Sequence, residues 1–440
     1  MLSIYSVEEA SARILKRRPF DETVVPPAVA ESLKATFGRP LTPAEAVAQI
    51  LSEVRREGDP ALLRWTEKLD GRAPDSLRVP QEELDEALAA LPGNLRYSLE
   101  QSIARVRAFH QRQPLTSWIS QDLGGTLGQL IRPIRRVGLY VPAGTAPLPS
   151  SVIMTAVPAQ VAGVPEIAIV APPVRGTGKI AGVILATAAL LGVSEVYTLG
   201  GAQAIAALAY GTQTLPAVDK IFGPGNLFVT LAKKQVYGAV GIDSLAGPTE
   251  TVVIADENAR PEWVAADLLA QAEHDLLASA ILLTPCRRLA EAVSQAVGRQ
   301  LETLSRAEIA ASSLAARGGA VITRHLEEAI GLSNAYGPEH LCLAVADPWR
   351  WAERVTSAGG IFLGENSFEV LGDYIAGPSH VMPTGGSARF ASPLNVWDFI
   401  HIISLIGLTP EDARRLGPSA ALLARSEGLD AHARAAEVRQ

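Results

Sequence analysis

Two short motifs have residue types that could do metal and proton-transfer chemistry. Gln271 and His274 are three residues apart in LLAQAEHDLL, so their side chains share one face of a predicted helix and could bind one metal ion. Glu339 and His340 follow a Gly-Pro pair and precede the apolar run LCLAV, at the start of a predicted strand. An adjacent acid and imidazole can share proton transfers. Each pair alone is also compatible with ordinary structure, a helix-end hydrogen bond or a turn with a satisfied histidine.

Further candidate ligands lie in a loop and near the C-terminus. The segment GDYIAGPSHVMPTGG displays Asp373 and His380 among glycines and prolines, where side chains are exposed rather than packed. EGLDAHARA contains Glu427 and His432, which alone would indicate a solvated helix face. A glutamine, two histidines and an aspartate would suit zinc with room for a substrate. Cys342 could be a thiol nucleophile, but its position inside LCLAV predicts a buried strand residue.

Two glycine-built turns are candidate nucleotide contacts. GGAQ, ending at Gln203, and GPGN, ending at Asn226, each join a predicted strand to a helix. Such turns let a ligand approach the backbone at a helix N-terminus. No GxGxxG sequence is present, and either turn alone is compatible with ordinary strand-to-helix structure, but two in adjacent units favour a ligand crevice. Tyr140 ends the first strand of this region, so we expect it at the same carboxyl edge of the sheet.

The rest of the chain predicts the scaffold for these residues. It has 440 residues, 48% apolar and 19% charged, which excludes disorder and allows a sizeable core. From residue 137, short apolar runs alternate with Ala-rich helical patterns, which is typical of parallel sheets. Residues 42–71 predict two helices that meet at Gly58, and a hairpin is predicted at residues 124–125. The predicted fold class is α/β, with two Rossmann-like parallel-sheet domains and small helical N- and C-terminal segments.

Changes in pattern along the chain predict its domain boundaries. We predict an N-terminal helical segment of residues 1–24, a first α/β domain of residues 25–136 and 250–392, a second of residues 137–249, and a tail of residues 393–440. After Ser392 the alternation of strands and helices stops. The tail is too short to bury its own core, so we expect it to dock on the partner subunit.

Charge and composition exclude several partners. The chain has 39 basic and 46 acidic residues, and a net charge of -7 attracts neither nucleic acid nor an anionic membrane. The longest uncharged run, residues 137–165, contains five prolines and is not a transmembrane helix. Residues 1–20 lack the pattern of a secretory signal peptide, and two cysteines are too few for a disulfide framework. We therefore expect a cytoplasmic protein.

Taken together, the motifs resemble the histidinol dehydrogenase family. The match runs in order through VGLYVPAGTAPLPSSVIM, GGAQAIAALAYG, IFGPGN, AGPTE, QAEHD, GPEHL, GDYIAGPSHVMPT, ARFASPL and EGLDAHARA, and covers most of the chain after residue 130. The resemblance implies a zinc-dependent, NAD-linked enzyme that oxidises L-histidinol through the aldehyde to L-histidine, the end of histidine biosynthesis. It also implies a homodimer in which the tail crosses to the partner.

The resemblance implies roles for individual residues. It gives the zinc ligands as Gln271, His274, Asp373 and His432, the catalytic pair as Glu339 and His340, and the NAD contacts as Tyr140, Gln203 and Asn226. It gives the substrate contacts as Thr249, Gln271, His274, His340, Asp373, Glu427 and His432. Many relatives have serine where this chain has Thr249, and both supply a hydroxyl. The sequence Gly-Pro-Ser-His ending at His380 departs from the commoner Gly-Thr-Asn-His, and the family pattern prefers His432 as the ligand.

The implied mechanism uses the catalytic pair twice. His340 would take the alcohol proton as hydride leaves to one NAD, and Glu339 would activate water on the bound aldehyde before a second hydride transfer. Three alternatives remain: a dehydrogenase of the same fold acting on another alcohol, a zinc hydrolase whose GPGN turn is only structural, and a non-catalytic binding protein of two α/β lobes. NAD binding separates a dehydrogenase from the hydrolase, and turnover of any alcohol with NAD excludes the binding protein.

Overall fold

The computed structural model describes residues 2–17, 27–143 and 146–439. The strands are β1 (Ile4–Ser6), β2 (Trp118–Ser120), β3 (Thr126–Pro133), β4 (Arg136–Tyr140), β5 (Glu166–Ala171), β6 (Val196–Thr198), β7 (Lys220–Phe222), β8 (Gly241–Ile242), β9 (Glu250–Ala255), β10 (Ser279–Thr284), β11 (Gly319–Ile322), β12 (His340–Ala344), β13 (Gly360–Leu363) and β14 (Ile400–Gly407).

The helices alternate with these strands over most of the chain. They are α1 (Val7–Ala12), α2 (Pro27–Phe37), α3 (Pro43–Glu57), α4 (Asp59–Asp70), α5 (Gln81–Ala89), α6 (Gly93–His110), α7 (Pro149–Val161), α8 (Gly182–Leu190), α9 (Gly201–Tyr210), α10 (Leu227–Val236), α11 (Pro261–Ala272), α12 (Arg287–Leu301), α13 (Ala307–Arg317), α14 (Leu326–Tyr336), α15 (Pro348–Ala352), α16 (Glu369–Tyr374), α17 (Pro410–Ser426) and α18 (Asp430–Glu437). Short 3-10 helices cover Ser387–Arg389 and Val396–Phe399.

The first parallel sheet supports the Glu-His pair. Within the described residues its strand order is β1-β11-β10-β9-β12-β13, and every pairing is parallel. All residues of β9, β10 and β12 are buried, because helices cover both faces of the sheet. One apolar core lies under α11, α12 and α13, and the other lies under α1 and α14.

The second parallel sheet supports the glycine-built turns. Its order is β6-β5-β4-β7-β8 in the described part of the chain, again with parallel pairing throughout. The chain runs outward from β4 through β5 and β6, then returns to place β7 on the other side of β4. This change of direction opens a crevice at the carboxyl ends of β4 and β7, where ligands of open α/β sheets bind.

The tail contributes to a third, antiparallel sheet with the order β14-β3-β2. All eight residues of β14 pair with β3, and β2 and β3 form the hairpin predicted at residues 124–125. The helices α17 and α18 pack on each other. Large apolar side chains of the tail, among them Ile406, Leu422 and Leu423, stay exposed in the single chain.

The predicted α/β class and the two helices that meet at Gly58 are confirmed. The N-terminal segment contains a helix, α1, as predicted, and in addition a strand of residues 4–6 that pairs with β11 at the edge of the first sheet. The helices of residues 43–110 pack on the second sheet, whereas the predicted domain of residues 25–136 and 250–392 groups them with the first. The division into domains stays a prediction, and its boundary at residue 24 lies outside the described residues. No helix among the described residues is long and apolar enough to cross a bilayer.

Candidate active site

The Glu-His pair lies at the amino edge of the first sheet. His340 is the first residue of β12, and Glu339 precedes it. Thr249 likewise directly precedes its strand, β9, which pairs with β12. The helix α11 runs back against the sheet and ends near the same edge, which places Gln271 there. Three segments far apart in sequence therefore meet at one end of the β9–β12 pair.

A hydroxyl joins the acid to the glutamine. The Thr249 Oγ1 atom lies 2.6 Å from Glu339 Oε2 and 2.9 Å from Gln271 Oε1. The backbone N–H of Glu250 donates a second hydrogen bond of 3.0 Å to the same Glu339 oxygen. A hydroxyl has one hydrogen, so Thr249 donates to one of the two side-chain oxygens at a time. Burial nevertheless raises the pKa of Glu339 to about 7, which suits a general base at neutral pH.

His340 lies between two carboxylates. Its Nδ1 atom is 3.6 Å from Glu339 Oε2, and its Nε2 atom is 3.5 Å from Asp373 Oδ1. Both ring nitrogens are buried and neither has a hydrogen-bond partner among the described residues. Burial by itself lowers the pKa of His340, but the Glu339 and Asp373 carboxylates outweigh it and raise this pKa to about 10.

Asp373 and two further histidines complete the polar cluster. Asp373 lies in α16, and its backbone carbonyl accepts a 2.7 Å hydrogen bond from Nδ1 of His380. This bond fixes the proton on Nδ1 and leaves Nε2 of His380 with a lone pair when the ring is neutral. Burial lowers the pKa of His380, which favours the neutral ring. His274 lies within electrostatic range of both Asp373 and His340.

The Gln-His motif differs from its predicted helical form. The helix α11 ends at Ala272, so Gln271 lies in its last turn and His274 in the turn that follows. The N–H of His274 donates to the carbonyl of Gln271 at 3.2 Å, which keeps the two residues close although the helix has ended. Gln271 is buried and His274 is exposed.

The donor set of this cluster is compatible with a metal ion but is incomplete in one chain. No three His, Cys, Asp or Glu side chains among the described residues are grouped as a metal site. His274 lies within electrostatic range of Asp373, and Gln271 is linked to the same cluster through Thr249 and Glu339. One nitrogen and two oxygens leave a tetrahedral zinc site one ligand short.

The predicted tail residues lie apart from this cluster. Glu427 ends α17 and His432 lies in α18, and both are exposed. Neither side chain has a hydrogen bond or an ion pair in the part of the chain that the structure describes. A single chain therefore brings together Thr249, Gln271, His274, Glu339, His340 and Asp373, but not the two tail residues.

Behind the pair lies a buried acid that the sequence analysis missed. Glu369 is fully buried, and its Oε1 atom accepts hydrogen bonds from the Thr251 hydroxyl and, at 2.9 Å, from the Cys342 thiol. Its other oxygen has no partner among the described residues. The sequence feature that could have indicated Glu369 is its position four residues before Asp373, which places both carboxyls on one face of a helix. The predicted burial of Cys342 is confirmed, and burial raises the pKa of its thiol.

The predicted nucleotide contacts meet at the carboxyl edge of the second sheet. The hydroxyl of Tyr140 accepts a 3.2 Å hydrogen bond from the N–H of Gly201, in the same turn as Gln203. Gln203 is 1% exposed, and its Oε1 atom has no hydrogen-bond partner in the described part of the chain. Asn226 caps α10, because its Oδ1 atom accepts from two backbone N–H groups at 3.0 and 3.2 Å.

Comparison with known proteins shows the family to which the chain belongs. The histidinol dehydrogenase family model matches residues 41–440. The histidinol dehydrogenase of Deinococcus radiodurans is 53% identical over 435 residues, which cover 98% of this chain and 99% of the relative. That of Thermus thermophilus is 49% identical over 438 residues, covering 99% and 100%. The crystal structure of histidinol dehydrogenase from Elizabethkingia anophelis has a TM-score of 0.90 at 35% identity, and the match covers 100% of this chain and 98% of that chain.

Proposed function

The chain belongs to the histidinol dehydrogenase family of oxidoreductases, and we propose that it oxidises L-histidinol through L-histidinaldehyde to L-histidine with zinc and NAD. The observation that supports this most is the buried Glu339–His340 pair with the Thr249 hydroxyl and Asp373 around it. A carboxyl with a pKa raised to about 7 suits a general base at neutral pH, and the adjacent imidazole is a second group that can carry a proton.

The two members of the pair have separate roles in the proposal. His340 accepts the proton of the substrate alcohol in the first oxidation, for which its ring must be neutral. Its pKa of about 10 is raised by neighbouring carboxylates, and zinc held by Asp373 would offset one of them and so favour the neutral ring. Glu339 then takes a proton from the water that adds to the aldehyde, which makes the hydrate that undergoes the second oxidation. Thr249 orients the Glu339 carboxylate through its hydroxyl, and the N–H of Glu250 holds the same oxygen. Because the pair is buried, bulk water is kept from the aldehyde between the two halves.

We propose Gln271, His274 and Asp373 of one subunit and His432 of the partner subunit as the zinc ligands. Oxygen and imidazole donors are ligands that zinc accepts, and a fourth ligand from elsewhere completes the set that a single chain leaves incomplete. When bound, zinc supplies a Lewis acid for the substrate's nitrogens, and NAD supplies the hydride acceptor. Thr249, His340 and the zinc ligands of the same subunit are proposed as substrate contacts. The partner subunit is proposed to add two more from its tail, Glu427 of the partner subunit and His432 of the partner subunit.

NAD is proposed to bind at the carboxyl edge of the second sheet. Tyr140 and Gln203 are buried polar side chains there, and the unpartnered oxygen of Gln203 can accept a hydrogen bond from the cofactor. Asn226 caps α10, and the positive end of the helix dipole at this terminus suits a phosphate. The predicted domain of residues 137–249 is therefore the proposed NAD-binding domain.

A homodimer with shared active sites is part of the proposal, and the exposed apolar residues of the tail support it. The test is complementation: His340→Ala and His432→Ala are each expected to be inactive. If the tail crosses, mixed dimers contain one intact site, so random mixing restores about a quarter of the activity. Mixing His340→Ala with His274→Ala, which both alter the same subunit's cluster, should restore none. An inactive first mixture with demonstrated subunit exchange would contradict the shared site.

The function itself is tested by following NADH with L-histidinol before and after chelation. We expect turnover that is lost when zinc is removed and returns when zinc is restored. The proposed place of this reaction is histidine biosynthesis in the cytoplasm. Protein that binds zinc and NAD but turns over only another alcohol would indicate a related dehydrogenase. Protein that binds zinc but no NAD would indicate the hydrolase, and protein with no turnover of any alcohol would indicate a binding protein.

A further inference from the structure

A buried ion pair lies under the GPGN turn. Lys233 in α10 and Asp243, which follows β8, have side chains that are only 2% and 4% exposed, and they form a salt bridge. The Lys233 Nζ atom also donates a 2.9 Å hydrogen bond to the carbonyl of Gly223. Asp243 Oδ2 accepts a 2.7 Å hydrogen bond from the N–H of the same glycine. The pair thus bonds both backbone groups of the first residue of the turn.

The bonded glycine is in an unusual and tightly packed position. Gly223 has φ of +110°, a conformation that side-chain-bearing residues rarely adopt. A Cβ atom there would lie 2.1 Å from the backbone oxygen of Tyr140. The turn therefore packs so closely against the end of β4 that no side chain fits between Gly223 and Tyr140. Glycine adopts this conformation at little steric cost but can also leave it readily, so contacts from outside the turn are what fix it.

Supporting the turn with a buried ion pair carries a desolvation penalty. Removing charges from water is unfavourable, and buried pairs can often be replaced by apolar residues without loss of stability. Here the charged groups have a directional use, because one end donates to the carbonyl and the other accepts from the N–H. Apolar residues would fill the space but could do neither. Asp243 is fixed in turn, because its Oδ1 atom accepts a 2.6 Å hydrogen bond from the N–H of Ser244.

We propose that Lys233 and Asp243 are positioning residues that hold the GPGN turn in the shape that binds NAD. The inference rests on the proposed function, in which Asn226 and the start of α10 contact the cofactor. Lys233 and Asp243 lie beneath the turn and act through Gly223, so neither needs to touch NAD. The pair sets the affinity for NAD and has no part in binding zinc or L-histidinol at the first sheet.

The test compares Lys233→Met with Lys233→Met/Asp243→Asn. The single variant leaves Asp243 as a buried, unpaired carboxylate, so it should lose both stability and NAD affinity. The double variant removes both charges. Its single amide oxygen can still accept from the Gly223 N–H, although the Ser244 N–H then loses its acceptor, so the variant should regain part of the stability. It still lacks the donor to the Gly223 carbonyl, and we expect its dissociation constant for NAD to stay raised by about tenfold.

The measurements are NAD titration of the zinc-loaded protein, L-histidinol titration without NAD, and the unfolding midpoint. Histidinol affinity should stay within about twofold of wild type in both variants. The control is Arg96→Met, which removes the cation of an exposed ion pair with Glu100 and should change neither affinity. A double variant that regains stability and wild-type NAD affinity would show a merely structural pair and overturn the inference. Wild-type protein that binds no NAD would instead overturn the proposed function.

Discussion

Replacing Thr249 by valine should shift the pH dependence of the second oxidation. Valine has nearly the shape of threonine, so the change removes the hydroxyl with little change of volume. The lost bond is the 2.6 Å contact to Glu339 Oε2, which lowers the pKa of that carboxyl. A hydrogen bond to a charged group contributes about 1.5–3 kcal/mol, or about 1–2 pKa units. The pKa of Glu339, already raised to about 7 by burial, should therefore rise further.

The sign follows from the role of Glu339 as a base, which needs the deprotonated form. The acid limb of the rate profile for oxidation of L-histidinaldehyde should move up by about 1–2 pH units in Thr249→Val. Thr249→Ser keeps the hydroxyl and is the matched control, with a profile close to wild type. The assay is NADH formation from the aldehyde between pH 6 and 10. Identical profiles for the valine and serine variants would refute the link between Thr249 and Glu339.

Three further results are expected. Glu339→Gln should form one NADH per L-histidinol rather than two, because the base that activates water for the second oxidation is removed. Formation of two NADH by this variant would contradict that role of Glu339. Burial and nearby carboxylates raise the pKa of Asp267 from 3.8 to about 7, so stability falls as pH rises through this window. Asp267→Asn should therefore add about 1–3 kcal/mol to the unfolding free energy at pH 8 and nothing at pH 4, by urea titration; equal effects at both would refute this. Gly223→Ala should lower the free energy of unfolding by more than about 2 kcal/mol. Gly331→Ala, which has open space around it, should raise the free energy of unfolding by about 0.5–1 kcal/mol. Similar effects of the two changes would refute the packing argument.

Local patterns predicted the scaffold well, because strand and helix periodicity are properties of short segments. The break at Gly58 and the hairpin at residues 124–125 followed from turn chemistry alone. The packing partner of a helix is a different matter. The apolar face of α3 shows that it must be buried, but not which sheet will bury it, and its contacts are with α9 and α10.

In the candidate site, too, residues that are adjacent in sequence could be predicted to lie together, and contacts between distant segments could not. Glu339 and His340 are neighbours in sequence, so their proximity needed no fold. The contact of Thr249 with Glu339 spans 90 residues and depends on β9 pairing with β12. The Lys233–Asp243 pair depends likewise on β8 lying beside β7. Such contacts are set by sheet order, which one sequence does not display.

The most direct test of the central claim counts NADH against L-histidinol consumed by zinc-loaded protein. The account predicts two NADH for each L-histidinol and L-histidine as the product, because Glu339 and His340 serve two successive oxidations at one site. One NADH per substrate, with L-histidinaldehyde accumulating, would contradict it.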